Sequence, residues 1–160
     1  MGTERSAQET GRVSKDENNA FFACSLIEYI ARKTRNRSCD VVHKLGDSAI
    51  KNLFEYADTY HCESIDDVAD RFIAQCGLAG GDFDNVAQAR YAVPSHWDIG
   101  KVFKRLALGI AEHEGISIPQ AIERAFCCEV AEKIEDYNSS FYYDSPQNIL
   151  NAYLYGELEW

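Results

Sequence analysis

Hydrophobic residues recur at steps of three and four positions along most of this chain, which is the period of an amphipathic α-helix. The first such stretch runs from about residue 17 to 34, with apolar positions at Phe21, Phe22, Leu26, Ile27 and Ile30. Further stretches of the same period cover about 38–45, 47–57, 64–75, 95–114, 117–134 and 145–155. Apart from a short extended piece near 90–94, no segment alternates as a half-buried strand does. The pattern predicts an all-α protein, a compact bundle of about seven helices.

A glycine-rich stretch divides the pattern into two parts. Residues 77–94 form a long irregular segment, so we expect either a functional loop or a seam between two halves. The flanking parts, 17–76 and 95–160, both contain a long apolar helix, a polar turn, a serine and a shorter helix. Two similar helical hairpins are one interpretation, and the general likeness of amphipathic hairpins is the other. The matching positions are Leu26, Ile30, Ala31 and Ser38 in the first part and Leu106, Ile110, Ala111 and Ser117 in the second.

The ends of these elements carry recognisable signals. Residues 1–16 hold one large apolar residue, Val13, and predict a flexible tail before a single helical domain at 17–160. Ser95 followed by Asp98 predicts a capping box. Ser38 is predicted to cap the second helix in the same way.

Charge is distributed unevenly along the chain. The sequence has 16 Lys and Arg against 26 Asp and Glu, for a net charge of −10, which argues against a mainly electrostatic nucleic-acid or anionic-membrane binder. Residues 1–37 carry seven cations and five anions, whereas residues 38–160 carry nine and 21. One basic cluster is an exception to the negative charge of the chain. We expect it to be a solvated helix end or a docking site for an acidic partner. It consists of Arg32, Lys33, Arg35 and Arg37.

The lengths of the apolar runs in the sequence indicate whether the protein associates with a membrane and where it is located. No run approaches the roughly 18–20 residues of a membrane-spanning helix, and residues 1–19 contain no apolar core of a signal peptide. We therefore expect a cytoplasmic protein without membrane association. In that compartment the six cysteines are expected to be reduced and structural. Cys39 with His43, and His61 with Cys62, would supply four zinc ligands if the two segments met, but the spacing is not diagnostic, and neither a metal nor a cofactor is expected.

The densest cluster of chemically capable groups lies in residues 91–104. Tyr91, His96, Asp98 and Lys101 surround a predicted helix N-terminus, which offers free N–H groups to an anion. His96 has a pKa range suited to general acid–base catalysis, so an enzyme or a small-anion-binding protein is one hypothesis. The alternative is that Ser95 and Asp98 only cap the helix. No P-loop, dinucleotide-binding, zinc-protease, esterase or EF-hand motif is present, which favours a role without catalysis.

The C-terminal quarter is rich in aromatic residues. Aromatic side chains with polar groups are favoured at protein interfaces, although packing of the last helix would use some of them. Nearby acidic residues disfavour base stacking on a nucleic acid. The predicted partner-binding residues are Trp97, Tyr137, Phe141, Tyr142, Tyr143, Tyr155 and Trp160.

Residues 27–73 also carry a recognisable arrangement of motifs: Glu28-Tyr29, Val41-Val42, Tyr56 to Asp58, and His61. In these positions the segment resembles a small bacterial helical family of unknown function, encoded near ADP-ribosyltransferase-like toxins. The resemblance implies an antitoxin-like or regulatory partner role, and it supplies no catalytic residues.

Three functions are therefore left open. The first is a cytosolic helical protein–protein interaction module whose partner has a basic surface. The second is the enzyme or anion-binding site near His96 and Asp98. The third is an acidic mimic of a nucleic acid, which predicts carboxylates along one face.

Overall fold

A computed structural model describes residues 7–156, with side chains from residue 15, and this part of the chain is helical without strands. The all-α prediction is confirmed. Within these residues no helix is both long and apolar enough to cross a lipid bilayer. The elements are α1 (Ala7–Thr34), α2 (Ser38–Glu55), α3 (Ala57–His61), α4 (Ile65–Cys76), α5 (Asn85–Gln88), α6 (His96–Glu114), α7 (Ile118–Phe126), α8 (Glu129–Glu135), a 3₁₀ turn (Phe141–Tyr143) and α9 (Pro146–Tyr155).

Helix α1 is the centre of the bundle. Between residues 19 and 31 nearly every side chain is buried, as expected for a helix that is covered on all sides. Its main neighbours are α6 and α2, and α7 closes the group against α2 and α6. The two hairpins α1–α2 and α6–α7 thus build the core, where Phe103 stacks on Phe126 with ring centroids 4.0 Å apart.

Two element boundaries differ from those predicted, and a third is confirmed. Helix α1 begins at Ala7 and not near 17, so it includes ten residues of the predicted tail; residues 1–6 lie outside the described residues. The predicted helix end at Gly46 is confirmed, because its φ of 80° and ψ of 169° are non-helical and divide α2 into two helical segments. The predicted helix 117–134 is divided at Cys127 and Cys128, because Cys128 is extended.

The glycine-rich stretch 77–94 is held against the turn between α1 and α2. The N–H of Gly81 donates to the Thr34 carbonyl at 2.8 Å, and the N–H of Phe83 donates to the Arg35 carbonyl at 2.9 Å. A Cβ at Gly81 would lie 2.5 Å from the Arg35 carbonyl oxygen, so only glycine fits this close approach. These contacts place residues 81 and 83 along the first hairpin.

Candidate functional site

The N-terminus of α6 is capped as its sequence predicts. The Ser95 hydroxyl accepts from the Asp98 N–H at 3.0 Å, and the Asp98 carboxylate accepts from the Ser95 N–H at 2.9 Å. This capping box satisfies two groups at the helix end. One oxygen of Asp98 is consequently engaged in holding the helix start.

A groove of about 360 Å³ lies beside this helix end. It runs between α6 and the residues that join the 3₁₀ turn to α9, and Asp98, Lys101 and Arg105 line its α6 side. Within residues 15–156, neither Lys101 nor Arg105 forms an ion pair. Tyr142 and Tyr143 line the opposite side. The lining also contains the Asp98 and Asp144 carboxylates, so the groove presents two cations, two carboxylates and two phenol rings to a ligand.

His96 does not contribute to that groove. Its ring packs edge-on against Tyr29 at 5.0 Å and lies 4.8 Å from the Trp97 ring. Burial, and then the nearby Arg32 guanidinium, lower the pKa of His96, while Asp98 opposes the shift. Tyr91 is 70% exposed and also lies outside the groove lining. The predicted constellation is thus divided: Asp98 and Lys101 share the groove, whereas His96 and Tyr91 do not.

A buried polar network lies next to this region. Glu28, on the central face of α1, is 2% exposed. Its carboxylate accepts from Arg32 Nε at 3.2 Å and from the Tyr137 hydroxyl. The Arg32 Nη2 donates both to the Tyr137 hydroxyl at 2.9 Å and to the Pro94 carbonyl at 2.6 Å. The buried charge of Glu28 is therefore paired and hydrogen-bonded, as burial in a core requires.

The network continues to the start of α2. Ser38 was predicted to cap this helix, but it is the first helical residue. Arg37 occupies the cap position, without a side-chain hydrogen bond. The buried Glu135 carboxylate instead accepts from the Ser38 N–H at 3.2 Å. The Ser38 hydroxyl donates to Glu28 at 3.3 Å. Burial raises the pKa of Glu135 to about 7, with Glu28 adding to the rise and Ser38 and Arg37 opposing it.

Internal partners occupy most of the basic cluster. Arg32 is inside the network just described, and Lys33 pairs with Asp66 at 2.6 Å and Asp70 at 2.7 Å. Arg37 lies over the Phe83 ring at 4.5 Å and 3.8 Å from Glu132. The fold thus supplies partners for these three residues, while Lys33 and Arg37 remain exposed. The interpretation of the cluster as a solvated helix end or a docking site for an acidic partner stays a prediction.

The aromatic residues predicted to bind a partner separate into two groups. Tyr137 and Phe141 are 4% and 3% exposed, so they are core residues and their assignment to a partner surface is corrected. Trp97 is half-buried against Phe21, with centroids 5.6 Å apart. Tyr142 is half-buried in the groove, whereas Tyr143 and Tyr155 are exposed at 79% and 72%. Trp160 lies outside the described residues.

An acidic surface follows α8. Glu129, Glu132 and Asp136 are exposed, and we call them the α8 acidic face. Two adjoining hollows of about 730 and 370 Å³ share Glu132, Asp136 and Asn138 in their linings. Lys133 and Arg37 are the cations in these linings. The surface is concave and predominantly anionic, and the sequence signal for it was the acidic composition around residues 129–136.

The prediction that all six cysteines are reduced is wrong. Cys39 on α2 and Cys127 at the end of α7 form a disulfide, with Cα atoms 4.7 Å apart. His43 lies beside Cys39, with Nε2 3.7 Å from its sulfur. His61 packs against Phe22 and Trp97, and the Cys62 thiol donates to the Asp58 carbonyl. The group that the structure assembles is therefore Cys39, His43 and Cys127, without His61 or Cys62.

Comparison with known proteins adds no family to these observations. No family model, curated protein or solved structure matches this chain. The resemblance of residues 27–73 to a bacterial helical family stays a prediction. The candidate functional surfaces are thus the α8 acidic face with its hollows and the groove beside α6.

Proposed function

We propose that this chain is a cytosolic helical interaction module that binds a basic surface of another protein through the α8 acidic face. The observation that carries the proposal is the pair of α8 carboxylates without an ion pair, beside a basic cluster whose members mostly have partners. Arg32, Lys33 and Arg37 have partners within the molecule, whereas Glu129 and Asp136 form no ion pair within residues 15–156. The carboxylates of Glu129 and Asp136 are consequently available to a cationic partner.

The shape of this surface suits long basic side chains. Each hollow beside α8 has carboxylates on its wall, and Phe83 and Phe141 contribute apolar surface to the linings. Lys and Arg place an apolar stem along such surface and a cation at its end. Charge complementarity of this kind accelerates association more than it adds affinity. Binding should therefore slow as salt increases.

The proposal is tested by affinity capture from the cells of origin, using the tagged full chain and a triple variant. Glu129→Gln, Glu132→Gln and Asp136→Asn together neutralise the α8 acidic face. A matched triple, Glu17→Gln, Asp82→Asn and Glu112→Gln, removes the same charge from exposed positions on other elements. Association rates with the captured partner are then measured from about 0.05 to 0.3 M salt, where the Debye length passes through about 10 Å.

The expected result is a stoichiometric basic partner that the wild type and the matched triple retain and the α8 triple loses. Its association rate with the wild type should fall with salt. Equal capture by both triples, or the absence of a stoichiometric partner, contradicts the proposal. An antitoxin-like role is its narrower form and requires the partner to be a toxin-like enzyme. A captured DNA- or RNA-binding protein that nucleic acid displaces would favour the nucleic-acid mimic.

A second candidate function is the binding of a small organic anion in the groove beside α6. The observation that favours it is the absence of ion pairs for Lys101 and Arg105 within residues 15–156, opposite Tyr142 and Tyr143. Benzoate and inorganic phosphate are suitable probes, with amide chemical shifts as the measurement. Saturable shifts at these positions that Lys101→Gln abolishes would support the candidate, and shifts spread over the surface would contradict it.

A further inference from the structure

We propose that Cys39, His43 and Cys127 form a binding site for a thiophilic divalent cation such as Zn²⁺, which the Cys39–Cys127 disulfide closes and reduction opens. Cys39 and His43 lie one turn apart on α2, and Cys127 approaches from the end of α7. The three ligand atoms lie within 4.8 Å of one another. Cys₂His donor sets are established zinc ligands.

The distances agree with coordination by a single ion. Zn–S bonds of about 2.3 Å and Zn–N bonds of about 2.0–2.1 Å in a tetrahedron place sulfur and nitrogen roughly 3.5 Å apart. The His43 Nε2 lies 3.7 Å from the Cys39 sulfur. Because both residues are on the same helix, their relative positions persist when the disulfide is reduced. Cys127 then needs only a side-chain rotation to separate its sulfur from that of Cys39.

The surroundings favour a cation with an accessible fourth position. His43 and Cys127 are exposed, and both line a hollow of about 480 Å³ together with Glu123. Burial and the adjacent Asp47 carboxyl raise the pKa of Glu123 to about 7. The neighbouring Arg124 guanidinium is paired with Glu114. The hollow thus supplies one carboxyl group, that of Glu123, and room for a water as the fourth ligand.

The redox step balances as a thiol–disulfide exchange. A dithiol reductant transfers two electrons and two protons to the Cys39–Cys127 disulfide and becomes a disulfide itself. The S–S bond is replaced by two thiols. The cation then displaces both thiol protons, forms two metal–sulfur bonds, and accepts a lone pair from the neutral His43 ring. In the oxidised protein neither sulfur is a thiolate, so the same three residues lack the donors that the cation requires.

The other cysteines do not provide an equivalent site. Burial raises the pKa of the Cys24, Cys76 and Cys128 thiols, which disfavours the thiolate form that binds metal. Cys62 is exposed on another element, and its thiol donates to the Asp58 carbonyl. It therefore serves as the matched control.

The test uses the full chain, reduced and oxidised, with Co²⁺ as a spectroscopic substitute for Zn²⁺. We expect the reduced protein to bind one equivalent, with thiolate-to-cobalt charge-transfer absorption and the visible bands of tetrahedral cobalt. Zn²⁺ should remove both. The oxidised protein should show neither, and Cys62→Ser should behave as the wild type. Cys127→Ser and His43→Gln, both at exposed positions, should weaken binding by at least roughly tenfold.

Three results would overturn the inference. The first is the absence of thiolate-to-cobalt absorption in the reduced wild type, and the second is its persistence with wild-type affinity in Cys127→Ser. The third is equal cation affinity in the oxidised and reduced proteins, which would remove the redox control. Far-ultraviolet circular dichroism of each variant shows whether it is folded. Should Cys127→Ser not fold, the His43→Gln titration and the comparison of redox states decide the outcome.

Discussion

Gly100 on α6 faces Ser25 on α1 with no space for a side chain between them. A Cβ atom at position 100 would lie 2.7 Å from the Ser25 Cα. Both residues are buried, at the place where the two central helices cross. The absence of a side chain at residue 100 therefore determines how closely α6 approaches α1, and every group carried on the N-terminal turn of α6 depends on that approach.

Gly100→Ala should destabilise the protein by about 1–3 kcal/mol, the usual cost of overpacking a well-packed interior. Alanine is the better helix former, so a loss of stability cannot come from propensity. Urea denaturation gives the free energy of unfolding. Gly109→Ala is the matched control on the same helix, since its Cβ would meet the end of the Leu150 side chain at 2.9 Å, and a flexible side chain can move. Equal effects of the two substitutions would contradict the tight crossing.

Tyr137→Phe should also destabilise the fold, by about 1–3 kcal/mol. The change removes the hydroxyl that donates to Glu28 and accepts from Arg32, and it leaves a buried carboxylate and a guanidinium with one partner fewer. Tyr91→Phe is the control, because Tyr91 is 70% exposed; its effect should stay within about 0.5 kcal/mol. A Tyr137→Phe protein as stable as the control would mean that the network contributes little.

Glu135 makes a contribution to stability that decreases as pH rises. Its pKa is raised from 4.5 to about 7 in the folded protein, so between these values the folded state holds a proton that the unfolded state has released. The free energy of unfolding therefore falls through this window, by about 3 kcal/mol at most. The groups around this carboxyl are Glu28, Arg37 and Ser38.

Glu135→Gln should remove that dependence. Glutamine keeps an acceptor for the Ser38 N–H and cannot ionise, so the variant should gain stability relative to the wild type as pH rises from 5 to 8. Urea denaturation at each pH measures the difference. Glu123, whose pKa is also raised to about 7, contributes to both proteins and cancels. A wild-type-minus-variant difference that is independent of pH would contradict the prediction.

The helices were predictable because helix formation depends on local signals. The three-to-four period of apolar residues identified the buried faces, and the capping box at Ser95 is found as the sequence predicts. The helix end at Gly46 was predicted correctly, since glycine favours the positive φ found there. The break at Cys127 was not predicted, because the apolar period does not record whether the backbone stays helical between two helical segments.

The polar interior was not predictable, because it depends on contacts distant in sequence. Glu28 and Glu135 lie in amphipathic helices, in which charged residues are usually found on the surface. Their burial follows from Tyr137, which is 109 residues from Glu28 in sequence, and from the buried N–H of Ser38, which donates to Glu135. The disulfide partners are likewise 88 residues apart. The local pattern predicts for each residue separately whether it lies on the surface or in the core. It does not predict which residues become partners.

His96 should titrate with a midpoint below 6.5 in nuclear magnetic resonance spectra of the folded protein, because burial and Arg32 disfavour its charged form. The unfolded state then takes up the proton first as pH falls below 6.5, so this group lowers stability in acid. Asp98→Asn should lower the midpoint further, since the Asp98 carboxylate opposes the shift. Glu112→Gln makes the same charge change about 24 Å along the same helix and should leave the midpoint where it is. A wild-type midpoint at or above 6.5, or equal responses to the two substitutions, would contradict the burial of His96 beside Arg32 and Asp98.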